Sequence, residues 1–144
     1  MRITFTLCLP RDEASVPVVR RLCGRALDDL GIAEDCGNDI GIALTEACSN
    51  VLKHANGTTV QYEVTIAIDE KTCEIKVFDR GHGFDLSTVA TATVQEEAGR
   101  GIQLMRALVD RLDFETRDGK GTVVHLVKRL QLRPNALLKR LASA

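Results

Sequence analysis

The most constraining feature of this sequence is a change of hydrophobic period at Asn56-Gly57. Before it, from about Asp35 to His54, apolar residues recur as Ile40, Leu44, Ala47 and Val51, the stripe of one helix face. After it, Val60, Tyr62, Val64, Ile66 and Ile68 alternate, as one face of a strand does. Asp69-Glu70-Lys71 then reads as a turn and Cys73 to Phe78 as the returning strand. A chain that must bury a helical stripe next to a hairpin face is confined to packing helices on a sheet.

The other segments extend this arrangement. Arg2 to Leu9 places Ile3, Phe5, Leu7 and Leu9 on one face and predicts a half-buried strand ended by Pro10. Residues 13–30 follow a helical period through Val16, Val19, Cys23 and Leu27, with Gly31 as the stop. A third helix is expected over 101–110, carrying Ile102, Met105, Leu108 and Val109. Strands are expected over about 112–117 and 121–129, joined by Asp118-Gly119-Lys120-Gly121. Pro134 opens a short helix with Leu137, Leu138 and Leu141. The order β-α-α-β-β-loop-α-β-β predicts an α+β two-layer sandwich, with a mixed, mostly antiparallel sheet covered by helices on one face. No Gly-rich turn joins the first strand to its helix, which excludes the Rossmann pattern, and there is no P-loop.

At 144 residues the chain is sized for one domain, expected over residues 1–130 with 131–144 as a basic tail. No stretch approaches 18 consecutive apolar residues, which argues against a membrane-spanning helix. The N-terminal apolar run meets Asp12 and Glu13 at once, unlike a signal peptide, so a cytoplasmic location is expected. Five cysteines at 8, 23, 36, 48 and 73 make an odd set without CxxC spacing, so buried reduced thiols are expected rather than disulfides or zinc. The nineteen basic and twenty acidic residues are unevenly spread. Six of the basic ones (Lys120, Lys128, Arg129, Arg133, Lys139, Arg140) follow Asp118, after which there is no acid. That density is too low, and aromatic residues are too few, for direct nucleic-acid binding to be expected; no membrane binding is expected either.

Four clusters carry candidate chemistry. Glu46-Ala47-Cys48-Ser49-Asn50, followed by Lys53-His54-Ala55, sets Glu46 and Asn50 four apart on one helix face. A carboxylate beside a carboxamide suits a hydroxyl-activating base next to an oxygen ligand for Mg²⁺, although a solvated helix face has the same spacing. Asp79-Arg80-Gly81-His82-Gly83-Phe84 places an acid at a strand end, where it can accept a hydrogen bond from the exocyclic amine of adenine. Gly99-Arg100-Gly101-Ile102 opens the third helix with freed backbone N–H groups, suited to phosphates. Gly119-x-Gly121-Thr122 enters the last strand with a hydroxyl; a Gly-rich hairpin turn would read alike. His54, His82 and His125 read as structural or solvent-facing.

In this order and on these elements, the four clusters resemble the N box, two glycine boxes and terminal Gly-Thr of the GHKL (Bergerat-fold) ATPases, over about residues 36–128. Short length, no phosphoacceptor helical hairpin, and Glu-x-x-x-Asn followed by Lys-His-Ala make the chain similar to the anti-sigma-factor serine/threonine kinases of the RsbW/SpoIIAB type. The resemblance implies ATP and Mg²⁺ as cofactors. It implies that Glu46 is the general base and Asn50 the Mg²⁺ ligand, while Asp79, with Gly81 and Gly83, reads adenine. It further implies that Gly99, Arg100 and Gly101 hold phosphates and that Thr122 supports adenine through water. Lys53, one turn past Asn50, reads either as a cation approaching the phosphates or as a solvated lysine. The implied partners are a sigma factor and a STAS-type anti-sigma-factor antagonist whose serine is phosphorylated, with Arg20, Arg21 and Arg25 of the first helix on the partner surface; relatives also commonly form homodimers. One departure stands out: the lid, about 85–98, has no Lys or Arg, and Glu96 and Glu97 precede Ala98. The alternative is therefore a non-catalytic ATP-binding module that regulates by protein–protein binding alone.

Overall fold

The computed structural model describes residues 1–54, 60–79, 99–117 and 121–144. Strand β1 (Ile3–Pro10) leads into helix α1 (Ser15–Leu30) and helix α2 (Glu34–His54). Strands β2 (Gln61–Ile68) and β3 (Thr72–Asp79) form a hairpin. Helix α3 (Gly99–Leu108), strands β4 (Arg111–Arg117) and β5 (Gly121–Arg129), and helix α4 (Leu137–Ala142) complete the order.

The strands form one sheet in the order β1-β2-β3-β5-β4. Every pairing among the described strands is antiparallel, in line with the mostly antiparallel sheet expected. The physical reason is the position of β5. The connection through α3 carries the chain past a one-strand gap to β4, and β5 returns into that gap, so the like-directed β3 and β4 never pair.

Alternation decides which face is buried. Val64, Ile66, Ile75, Val77, Phe114, Val124 and Leu126 point to one side and join a single core with the helical stripes. Those stripes are Val16, Val19, Cys23 and Leu27 of α1, Ile40, Leu44, Ala47 and Val51 of α2, and Ile102 and Met105 of α3. On the sheet's other side a polar ladder runs between strands. His125 Nε2 lies 2.8 Å from Glu74 Oε1, Arg2 Nη2 3.1 Å from Glu74 Oε2, and Arg111 Nε 3.0 Å from the buried Asp113. The expectation that His125 is structural fits this position.

Two local expectations are corrected. Val60 is 77% exposed instead of on the inner face, because β2 begins at Gln61, the partner of Pro10 at the end of β1. Cys8 is exposed, whereas Cys23, Cys36, Cys48 and Cys73 are buried and free. Burial pushes the Cys23 and Cys48 thiols up to about 12, so they remain protonated. Within α4, Leu138 is buried but Leu137 and Leu141 are exposed.

The C-terminal segment closes the α1–α2 corner. Arg133 donates from Nη2 to the Asp28 carbonyl (2.5 Å) and from Nη1 to the Ile32 carbonyl (2.8 Å), meeting the exposed carbonyls where α1 ends. Gly31 adopts φ +93°, and a Cβ there would lie 2.4 Å from Ala136 Cβ. Only glycine supplies both the left-handed turn and the space.

Candidate active site

Helix α2 presents Glu46, Asn50 and Lys53 along one flank of its buried stripe, since positions four and seven apart return to nearly the same face. Burial grades along this flank. Glu46 is half-buried, Asn50 is buried with 7% exposure, and Lys53 is exposed without an ion pair among the described residues.

Glu46 meets the opening turn of α3. A Cβ added at Gly101 would lie 2.8 Å from Glu46 Oε2, so the carboxylate rests directly on the α3 backbone. This close approach requires glycine at 101. The first turn of any α-helix has backbone N–H groups without intrahelical partners and carries the positive end of the helix dipole. The arrangement therefore sets a proton acceptor beside a turn suited to anions. Gly99 and Arg100 belong to the same turn, and Arg100 is exposed. The far end of α3 is held by Lys128, whose Nζ donates to the Leu108 carbonyl at 2.7 Å and lies 3.4 Å from Asp39 Oδ2 of α2. This tie fixes α3 against the helix that carries Glu46.

Asp79 ends β3 on the helix-facing side of the sheet. It is 2% exposed, and neither carboxylate oxygen has a hydrogen-bond partner among the described residues. Phe78 pairs with Val123, so Asp79 stands abreast of the fully buried Thr122 at the start of β5. Across the other edge of β3, Asp79 pairs in register with Tyr62. Asn50 Nδ2 is likewise buried and unpartnered among the described residues. A buried polar group left without a partner costs about 1–3 kcal/mol, so three such atoms on the helix side of one sheet call for a polar ligand. An adenine amine fits the Asp79 acceptors. The Asn50 carboxamide fits a phosphate oxygen through Nδ2 and a hard cation through Oδ1, and a single protein oxygen is an ordinary complement for Mg²⁺ bound with a nucleotide.

Of the sequence-derived candidates, the structure brings Glu46 onto Gly101 and Asp79 beside Thr122, with Asn50 on the helix that bridges them. Gly81, Gly83, Arg80, His82, Phe84 and the lid 85–98 lie outside the described residues, as does Gly119. Sequence reasoning missed Tyr62. Its signal was the hairpin register, since counting outward from Asp69-Glu70-Lys71 sets Tyr62 opposite Asp79.

The sequence profile of the histidine kinase-like ATPase domain family matches residues 9–128. A serine-protein kinase RsbW from Halalkalibacterium halodurans is 30% identical over 138 residues, covering 89% of this chain and 84% of the relative. An anti-sigma F factor from Pasteuria penetrans is 31% identical over 106 residues, covering 67% of this chain and 71% of the relative. Among solved structures, the RsbU and RsbW domains of a Mycobacterium tuberculosis protein superpose with a TM-score of 0.63 at 20% identity. That match covers 92% of this chain and 33% of the longer one, and it supports the fold.

Proposed function

This chain belongs to the histidine kinase-like ATPase domain family, on its RsbW branch, and from that premise we propose that it is a protein serine/threonine kinase acting as an anti-sigma factor. It binds ATP with Mg²⁺ and holds a sigma factor. It transfers the γ-phosphate to a serine or threonine of a STAS-type antagonist, so that partner exchange is governed by phosphorylation. The observation that carries this reading is the Glu46 carboxylate seated on Gly101 at the opening of α3.

The chemistry follows from that contact. The acceptor hydroxyl oxygen forms a bond to the γ-phosphorus, the bond from that phosphorus to the bridging oxygen of ADP breaks, and the hydroxyl proton passes to Glu46. The opening turn of α3, with Gly99, Arg100 and Gly101, faces the negative charge of the phosphates. Asn50 holds the metal side of the triphosphate, and Mg²⁺, when bound, supplies charge neutralisation there. Asp79 accepts from the exocyclic amine of adenine, with Thr122 beside it and Gly81 and Gly83 shaping that pocket. Lys53 reaches toward the phosphates from the next turn of α2.

The partner surface lies on α1, where Val18 and Leu22 are exposed among Arg20, Arg21 and Arg25. Arg20 lays its side chain across α2 at Gly41, with Nε 3.5 Å from where a Cβ would be. The proposed partners place the protein in the cytoplasm. The test is phosphate transfer from MgATP to candidate antagonists. Glu46→Ala is expected to abolish transfer while sparing ATP binding, and persistent transfer would overturn the base assignment. The lid's lack of basic residues favours the second reading, a non-catalytic ATP-binding regulator. ATP binding with no transfer to any antagonist would decide for it.

A further inference from the structure

Tyr62 is fully buried on the helix side of the sheet, opposite Asp79 in the β2–β3 register. Side chains directly opposite on one face of an antiparallel pair have Cβ atoms about 4.5–5.5 Å apart, so Tyr62 walls one side of the carboxylate. The far end of the tyrosine is tied down. Its hydroxyl lies 2.5 Å from Ser15 Oγ, and Ser15 Oγ donates to the Asp12 carbonyl at 2.6 Å. Serine has one hydroxyl proton, which the Asp12 carbonyl takes, so Tyr62 must be the donor to Ser15. The chain of donors thus runs outward from Tyr62 through Ser15 to the turn that opens α1. Asp12 fixes the same turn by accepting from Ala14 N at 2.8 Å, and Arg11 N donates to the Val60 carbonyl at 2.9 Å.

Two consequences follow from this proton count. The Tyr62 proton is committed to Ser15, so neither Asp79 oxygen takes it, and among the described residues both remain open to accept from a ligand. The tyrosine also spans the core from the nucleotide carboxylate to the first residue of the helix that carries the exposed arginines. We infer that Tyr62 is a positioning residue for Asp79, and that its bond to Ser15 couples nucleotide occupancy to the placement of α1. The inference rests on the nucleotide reading of Asp79 given above. Such coupling is reciprocal, so whatever shifts the opening turn of α1 also shifts nucleotide affinity.

The test compares ATP affinity, with Mg²⁺ present, for the full chain, Tyr62→Phe, Ser15→Ala and Ser15→Thr, each alongside its thermal midpoint without nucleotide. Tyr62→Phe keeps the ring and loses only the hydroxyl. It and Ser15→Ala are expected to bind ATP roughly threefold to tenfold more weakly, while Ser15→Thr restores affinity. A purely structural role would lower the midpoint and leave affinity unchanged, and that result overturns the inference alone. If Tyr62→Phe does not fold, the alanine and threonine pair at Ser15 decides the same question. Tyr62 is the sole tyrosine and the chain has no tryptophan, so tyrosine emission provides a second readout. Emission is expected to change on ATP addition to the unmodified chain and not to Asp79→Asn, and an unchanged signal overturns the inference. No ATP binding by the unmodified chain would overturn the proposed function and this inference with it.

Discussion

Glycine at 101 and aspartate at 79 show how single atoms determine this site. Adding a Cβ at 101 would place it 2.8 Å from Glu46 Oε2, so Gly101→Ala must displace the carboxylate or the α3 turn. A displacement near 1 Å in a positioned catalytic group can cost roughly a hundredfold in rate. Gly101→Ala is therefore expected to reduce phosphate transfer by about that factor while the fold persists, as circular dichroism and a transfer assay would show together. Asp79→Asn replaces one of two unpartnered acceptors with a donor that repels the adenine amine. Its expected result is loss of ATP binding by calorimetry, and full binding in this variant would remove Asp79 from the adenine pocket.

The β2–β3 hairpin illustrates how elements are held by their ends. Asp69 Oδ1 accepts from Lys71 N and Thr72 N, both at 2.7 Å, closing the turn. Burial raises its carboxyl, but the bonds from Thr72 and Lys71 outweigh that and hold it below the usual range. Burial also raises Glu74, and His125, Lys76 and Arg2 around it outweigh that too, so its carboxyl is likewise lowered. A carboxyl lowered by folding adds stability at pH above its unfolded value, and that stability is lost as pH falls through the folded value. Melting experiments should therefore show the midpoint falling on acidification, starting near the usual carboxylate range. Asp69→Asn should flatten that limb, and an identical acid limb in the variant would refute the assignment. The end of α1 depends on Gly31, where φ is +93° and Ala136 Cβ would lie 2.4 Å from an added Cβ. Gly31→Ala combines a left-handed residue with overpacking, each costing about 1–3 kcal/mol, and should lower the midpoint accordingly.

At the scale of the whole molecule, the C-terminal segment belongs to the body of the fold. Leu138 is fully buried in the common core, Ile32 bridges to Leu132, and Arg133 closes the corner between the two long helices. Deleting residues 131–144 removes a buried leucine worth about 1.5–3 kcal/mol and uncovers the carbonyls at the end of α1. The truncated chain is expected to melt at a lower temperature than the full chain, and an equal midpoint would show that the corner closes without the tail. Its six-residue helix leaves Leu137 and Leu141 outward, so docking consumes one leucine of the three that the sequence placed there.

The sequence by itself determined the elements, because period is a local property. The helical stripe through Ile40, Leu44, Ala47 and Val51 and the alternation from Tyr62 to Ile68 each force one kind of backbone wherever a single face is buried. Glu46 and Asn50 were legible together because four residues make about one helical turn, and Asp79 because a strand ends there. Gly31 was legible as a helix stop because few other residues tolerate its backbone. Only the tertiary structure decided which separate segments meet. That β5 enters between β3 and β4, that Glu46 rests on Gly101, and that Tyr62 reaches Ser15 all depend on closing long stretches of chain, for which no local pattern codes. The position of Val60 was misread for the same reason, since alternation marks a face without saying where its cover ends.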